Sequence, residues 1–419
     1  MIDTIVVGAG AAGLMAAREL VRAGKRVLVL ESRHRIGGRI LTLHDHRAGV
    51  PIELGAEFVH GDAPETTRLL DEARLVTVPV LGKHYRSDRG ELSPQGPAWE
   101  RMARVFTHMS DRRKTDRSFQ EFLDGEPGGP RLKAERELAR SFVQGFMAAD
   151  VALISEKSLA EQGDPTDGAV EARRIVLGYD ALIEHLLRDI AETVRLGRAV
   201  QRIAWDDAGA RVLDALGTEH AARSVVITVP LPMLQDDSIA IEPDVPAVRR
   251  AARRLVMGHV QRVVVVVRER FWDEKIDELA YLHAPRRPFN VWWTQHPLRA
   301  PMLVGWAGGP PASEMTEGGD VEGIAVAELA RAFGIRRRRL ETLIESIHRH
   351  DWTLDEHSCG AYSYAGVGGT NAPHALTRPV GDTLFFAGEA TNAESSGTVE
   401  GAIASGKRAA KQVLTRLVS

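Results

Sequence analysis

The apolar positions at the start of the chain fall into two short blocks separated by small residues. Ile2-Asp3-Thr4-Ile5-Val6-Val7 reads as a buried parallel strand, and Val27-Leu28-Val29-Leu30 as a second one. Between them Gly8-Ala9-Gly10-Ala11-Ala12-Gly13 opens into an alanine-rich stretch, residues 14–23, that favours helix. Farther along the pattern changes character. Residues 64–159 are mainly of helical type, with Leu69-Leu70, Phe119, Phe122-Leu123 and Phe142-Val143, Phe146-Met147 as apolar stripes. The Pro/Gly cluster at residues 125–130 breaks this region as a loop. Strand–helix alternation returns over residues 170–232, where Tyr179-Asp180 leads a helix through Leu186-Leu187 and residues 224–229 form a strand closed by Pro230. Residues 263–267 and 302–306 predict further buried strands, residues 321–333 an amphipathic helix and residues 409–419 a short polar-faced helix.

No internal repeat is present, and 419 residues are too many for one ordinary core. The alternation predicts an α/β fold in which a cofactor domain built from discontinuous segments is interrupted by a mixed α+β substrate domain with a helical insertion. The expected boundaries are residues 1–63, 170–232 and 350–419 for the first domain, and 64–169 and 233–349 for the second.

Composition narrows the partners. With 54 Lys+Arg against 57 Asp+Glu the net charge is −3, which gives no basis for nucleic acid or an anionic membrane as partner. No stretch reaches about 18 uninterrupted apolar residues, so no membrane span is expected. The single cysteine, Cys359, excludes an intramolecular disulfide framework and a multi-cysteine zinc site. The first strand begins almost at the first residue, leaving no room for a leader segment, and a cytoplasmic protein is expected. Arg336 to Arg339 sit at helical spacing beside Glu341 and Glu345 and read as a solvated, ion-paired face. His348 and His350 read as surface residues, and no metal site is expected.

The chemistry begins at the first turn. The G-x-G-x-x-G of Gly8, Gly10 and Gly13 follows a strand and opens a helix, and a second strand ends in Glu31, 18 residues after Gly13. This is the context in which the dinucleotide fingerprint is meaningful. Gly8 permits the tight turn, Gly10 the close approach of a pyrophosphate and Gly13 the packing of helix on strand. The helix N-terminus offers free N–H groups to phosphate. Glu31 is placed to accept from a ribose 2′-hydroxyl and repels a 2′-phosphate, which disfavours NADP while leaving NAD and FAD both open. Just beyond, the Gly37-Gly38-Arg39 box allows close backbone approach to a pyrophosphate and adds a cation.

With Glu53-Leu54-Gly55-Ala56 and the C-terminal Phe386-Ala387-Gly388-Glu389, these boxes resemble those of the flavin-containing amine oxidases. That family includes monoamine oxidases, polyamine oxidases and flavin-dependent histone lysine demethylases. The resemblance runs from residue 2 to about 411 and is weakest over residues 64–159. It implies non-covalent FAD in a Rossmann-type domain, and oxidation of an amine C–N bond by hydride transfer to flavin N5, giving an imine that hydrolyses. The substrate implied is a small primary or secondary amine, including polyamine-like ones, with O2 or another electron acceptor; oligomeric state stays open, a homodimer being the form to test. The cofactor contacts implied are Gly8, Gly10, Ala12, Gly13, Glu31, Ser32, Gly37, Gly38, Arg39, Gly55, Ala56, Glu57, Val200, Gly388, Glu389, Thr398, Val399 and Ala402. Residues 398–402 open a helix aimed at the flavin, where its positive end favours reduction.

The resemblance also assigns the substrate side to His60, Tyr362, Thr398 and Arg262. His60 stands where polyamine oxidases carry an acidic residue or a histidine. Tyr362 matches the aromatic over the flavin face, and Thr398 takes the place of the second aromatic of monoamine oxidases. Ala361 occupies the position of the cysteine that tethers their flavin. Cys359, two residues earlier, lies about 7 Å from it if the segment is extended. Arg262 stands where the family usually has a lysine that holds a water against N5, which puts oxygen reactivity in question; Arg262 is also suited to a substrate carboxylate. An amino-acid oxidase, a desaturase-type enzyme and a redox-silent FAD-binding interaction protein are the alternatives.

Overall fold

The computed structural model describes residues 2–96, 98–163, 171–285 and 287–416. Val170, expected as a domain boundary, residues 164–169 and the last three residues of the expected C-terminal helix lie outside the described residues. The opening block forms as its pattern predicts: strand Ile2–Val7, helix Ala11–Arg22 and strand Val27–Leu30, the two strands parallel with Ile5 opposite Leu28. The helix starts earlier than residue 14, so the second half of the glycine turn is already its first turn. Gly13 makes this possible, since a Cβ there would lie 1.9 Å from the Gly8 carbonyl oxygen.

Five parallel strands make the core of the first sheet, in the order Val194–Arg195, Val27–Leu30, Ile2–Val7, Glu219–Ile227 and Leu384–Phe386. Its members come from both ends of the chain. Strand Glu219–Ile227 begins earlier than residue 224 because its first half alternates exposed and covered positions. That half turns to pair antiparallel with Gly209–Asp214, which continues to Val200–Asp206 and then to Ala240–Glu242.

The layers on this sheet depart from the expected boundaries. Helix Pro64–Ala73 places Leu69 and Leu70 in the same core as helices Ala11–Arg22, Asp180–Leu187 and Val399–Arg416. On the opposite face Ile239, Ile241, Val245 and Val248 pack beneath Ile5, Val7, Leu28 and Leu30. Residues 64–73 and 239–252 therefore pack with the cofactor-type sheet and not with the segments they were grouped with. In both stretches the apolar residues recur at helical or strand spacing, so pattern alone did not say which sheet they cover.

The second sheet has seven strands, in the order Ile344–Arg349, Val260–Val267, Met302–Gly308, Val291–Trp293, Leu279–His283, Lys83–Asp88 and Glu91–Pro94. Its last two strands correct the reading of residues 64–159 as mainly helical. Lys83–Asp88 and Glu91–Pro94 form a polar hairpin whose alternation buries Tyr85 and Ser87. Helices Ala98–Phe106 and Lys133–Phe146 pack on each other, the second also against strand Met302–Gly308, and a small sheet pairs Phe58–His60 and Thr77–Pro79 with Ala172–Ile175.

The arginine run behaves as expected: in helix Arg337–Leu343, Arg337 pairs with Glu341 at 2.8 Å, and Arg339 with Glu274. His348 and His350 are half-buried and meet Ser346 and Asp355, respectively. Among the described residues no cluster suits a metal ion, and no helix is long and apolar enough to cross a membrane.

Candidate active site

One cavity of about 710 Å3 runs from the first glycine turn to the faces of the second sheet. That volume lies within the usual range of ligand sites, about 300–1,000 Å3. Of the residues expected to touch the cofactor, all but Gly13 line it. Gly13 faces Gly8 and Thr228 instead, so its role is packing, as its spacing suggested.

At the cofactor end the wall is bare backbone. A Cβ built on Gly10 would meet nothing of the protein nearer than the Gly38 Cα at 3.9 Å, and one on Gly388 nothing nearer than 3.9 Å. Helix Ala11–Arg22 has no side-chain cap, so its first N–H groups remain available to a phosphate. Glu31 accepts from the Ala9 N–H at 2.7 Å and the Arg33 N–H at 2.9 Å. A carboxylate has about four acceptor sites, so capacity remains for a ribose hydroxyl.

Glu389 ties three segments to this wall. It accepts from Arg39 Nη1 at 3.0 Å, from the Ser363 hydroxyl at 2.7 Å and from the Gly397 N–H at 3.2 Å. Arg39 also donates to the Ala361 carbonyl at 2.7 Å. These donors, the bare glycine wall and the uncapped helix fit a dinucleotide cofactor.

Beyond Gly55 the cavity meets a buried charge cluster. Glu57 accepts from Arg262 Nη2 at 2.5 Å, Arg174 Nε at 2.6 Å, Trp293 Nε1 at 3.1 Å and Gln295 Nε2 at 3.1 Å. Burial opposes ionisation of Glu57, but the two guanidinium charges and these bonds win and hold its carboxyl down to about 2. Four residues away Glu53 goes the other way: burial pushes its carboxyl up to about 8, against hydrogen bonds from Thr42 and the Tyr179 N–H. Arg262 also donates to the Gly55 carbonyl at 3.2 Å and lies over the Trp293 ring at 5.5 Å. Its guanidinium therefore faces the cavity but is held by Glu57. Glu57, expected as a cofactor contact, is the anchor of this cluster, and Arg174 was not foreseen at all.

Tyr362 donates its hydroxyl to the Phe146 carbonyl at 2.6 Å, which leaves a ring face as what it offers the cavity. Burial raises its phenol well above the ordinary value, so it stays protonated. His60 packs edge-on to Phe146 with ring centroids 5.6 Å apart.

A family model described as flavin containing amine oxidoreductase matches residues 11–414. The chain belongs to that family. Among similar proteins, Polyamine oxidase 2 of Arabidopsis thaliana is 29% identical, with 99% of this chain and 89% of that protein covered. Lysine-specific histone demethylase 1 homolog 2 of Oryza sativa subsp. japonica is also 29% identical; 98% of this chain matches 57% of that longer protein. Two solved structures share the fold: cyclohexylamine oxidase from Brevibacterium oxydans IH-35A, at TM-score 0.84, 23% identity and full coverage of both chains, and wild-type putrescine oxidase bound to putrescine, at TM-score 0.83, 23% identity and 99% coverage of both.

As a flavin amine oxidoreductase the protein uses FAD, and the glycine-walled end of the cavity is where the residues fit it. Two expectations change in detail. Cys359 does not lie on an extended segment: it sits at φ +51° in a turn, its thiol beside the Glu356 carbonyl, and does not line the cavity. Thr398 lines the cavity but is also the N-cap of helix Val399–Arg416, accepting from the Gly401 N–H at 3.0 Å and donating to the Ser395 carbonyl. Its bonds are those of a cap. Thr398→Ala is expected to cost about 0.5–2 kcal/mol in urea unfolding. Unchanged stability with slower flavin reduction would assign Thr398 to the substrate instead.

Proposed function

We propose that the protein oxidises the C–N bond of a primary or secondary amine bound between the Tyr362 face and the Arg262 end of the cavity, with His60 shaping the approach. What carries the reading is the continuity of the cavity, which joins the glycine-walled cofactor end to a chamber of aromatic side chains in a flavin amine oxidoreductase. When bound, FAD supplies the hydride acceptor, and the oxidised amine leaves as an imine that water hydrolyses. The names of the relatives place both polyamines and a cycloalkyl amine among the substrates of similar proteins, so the reading covers both kinds of amine, polyamine-like ones included.

The chain's own groups supply position and field more than proton transfer. Tyr362 is spent on a carbonyl, Arg262 cannot give up its proton, and Glu57 is saturated by two guanidinium groups. A low-dielectric chamber favours the neutral amine, the form with an electron pair to give. Orientation over the cofactor then does the rest.

Anaerobic mixing of the holoenzyme with amines and with amino acids tests this. Bleaching of the flavin by amines supports the proposal. Bleaching by amino acids alone would make the protein an amino-acid oxidase, with Arg262 on the carboxylate. No bleaching by either would leave a redox-silent FAD protein. Arg262→Lys, which restores a compact ammonium, is expected to speed reoxidation by O2; an unchanged rate removes Arg262 from the oxygen step.

FAD held without a covalent bond is part of the same proposal, supported by Ala361 on the cavity wall and Cys359 off it. Acid precipitation is expected to leave the flavin in the supernatant, and a yellow precipitate would contradict it. A cytoplasmic setting, supported by a lone free thiol, and a homodimer complete the proposal. Fractionation and sedimentation test them.

A further inference from the structure

Eight aromatic side chains close into a circuit of ring contacts, and every one of them lines the cavity. Trp99 meets Phe142 at 5.5 Å, Phe142 stacks on Phe146 at 5.0 Å, and Phe146 meets His60 at 5.6 Å. His60 meets Phe58 at 5.7 Å, Phe58 meets Trp293 at 5.8 Å, and Trp293 meets Tyr281 at 6.3 Å. Tyr281 packs on His84 at 4.9 Å, and His84 returns to Trp99 at 6.2 Å. The members come from helices Ala98–Phe106 and Lys133–Phe146 and from strands of the small sheet and of the second sheet. No single segment could have built it.

We propose that this aromatic circuit sets the substrate class: an amine with one ammonium group and a flat or cyclic hydrocarbon body, an arylalkylamine or a cycloalkylamine. The inference rests on the amine-oxidation reading and narrows it. Rings at these separations present edges and faces to one another, and a hydrocarbon ring inserted among them continues the same packing. Six of the eight are phenyl, phenol or indole rings. His84 is pushed by burial below its ordinary value and stays neutral beside His283, which burial drives down to about 3.

Charge points the same way. Glu57, the carboxylate nearest the circuit through its bond to Trp293, is already held by Arg262 and Arg174. Among the described residues lining the cavity, the other carboxylates are Glu31, Glu356 and Glu389, at the cofactor end. Arg86 adds an exposed cation to the wall near His84. A polyamine would strip water from several ammonium groups here and meet a guanidinium, whereas a single ammonium delivered to the flavin leaves only hydrocarbon in the circuit.

The test is anaerobic flavin reduction in the holoenzyme with 2-phenylethylamine, cyclohexylamine, n-butylamine, putrescine and spermidine. The two cyclic amines are expected to reach half-saturation at concentrations at least about tenfold lower than putrescine or spermidine. Phe142→Ala and Trp99→Ala are expected to raise half-saturation for the two cyclic amines about tenfold more than for n-butylamine. Phe142→Leu, which keeps bulk without the ring, separates ring contact from volume. Tighter half-saturation with putrescine or spermidine in the wild-type enzyme overturns the inference and leaves amine oxidation standing. Equal losses for butylamine and phenylethylamine in the variants also overturn it. Failure of every amine to reduce the flavin overturns both. Should a variant not retain FAD, the wild-type panel still decides.

Discussion

Glu57→Ala is expected to destabilise the holoprotein by about 3–5 kcal/mol, read from urea unfolding followed by circular dichroism. The substitution leaves two guanidinium groups, each with a side chain no more than 4% exposed, without their shared counter-charge. It also removes the acceptor for Trp293 Nε1 and Gln295 Nε2, donors that then lie buried and unpaired. A partner change argues the cause: adding Arg174→Met to Glu57→Ala should recover only part of the loss, since one buried guanidinium is removed while Arg262 keeps its charge without a counter-charge. The pH dependence has a definite sign. The Glu57 carboxyl titrates lower in the folded protein, about 2, than its ordinary 4.5. Its contribution is therefore complete above that ordinary value and is lost as pH falls from there toward 2. A loss below about 1 kcal/mol in Glu57→Ala would mean the cluster is not what holds Arg262 in place.

Gly13→Val is expected to weaken FAD binding at least about tenfold, measured by titration of apoprotein with FAD, and to lower stability by about 1–3 kcal/mol. Any Cβ at Gly13 would stand 1.9 Å from the Gly8 carbonyl oxygen and 2.9 Å from Thr228 Oγ1. Helix and strand must part to admit it, and Gly8, Gly10 and the helix N-terminus move with them. Gly318→Ala, where nothing lies within 4 Å of the added carbon, is the neutral control. Wild-type FAD affinity in the valine variant would show that the fingerprint turn is not the cofactor seat.

The cofactor end was legible in the sequence because its parts are local. Strand, glycine turn, helix and Glu31 follow one another within 31 residues, and each has a spacing with a physical reason. Glu389 was legible as an acidic residue of the cofactor wall, though not as the knot that joins Arg39, Ser363 and Gly397. Arg174 was invisible. Its strand reads Ala172-Arg173-Arg174-Ile175, and nothing local says that one of two adjacent arginines is buried against Glu57, 117 positions away. The aromatic circuit was hidden for the same reason: its members range from Phe58 to Trp293, and helical or strand periodicity marks each as ordinary core. At Cys359 only the local geometry differs from an extended segment: the residue sits at φ +51° in a turn, which nothing in the neighbouring residue pattern marks. Arg262 stands out in the sequence and lines the cavity, but its company, Glu57 and Trp293, comes only from the fold.

The most direct measurement is a single anaerobic turnover of the holoenzyme with 2-phenylethylamine, unlabelled and deuterated at the carbon bearing the nitrogen. Bleaching of the flavin that slows with the deuterated amine, with one aldehyde released per flavin reduced, is the predicted result. Bleaching at the same rate with either amine, or no aldehyde, would contradict transfer of hydrogen from that carbon to FAD in this cavity.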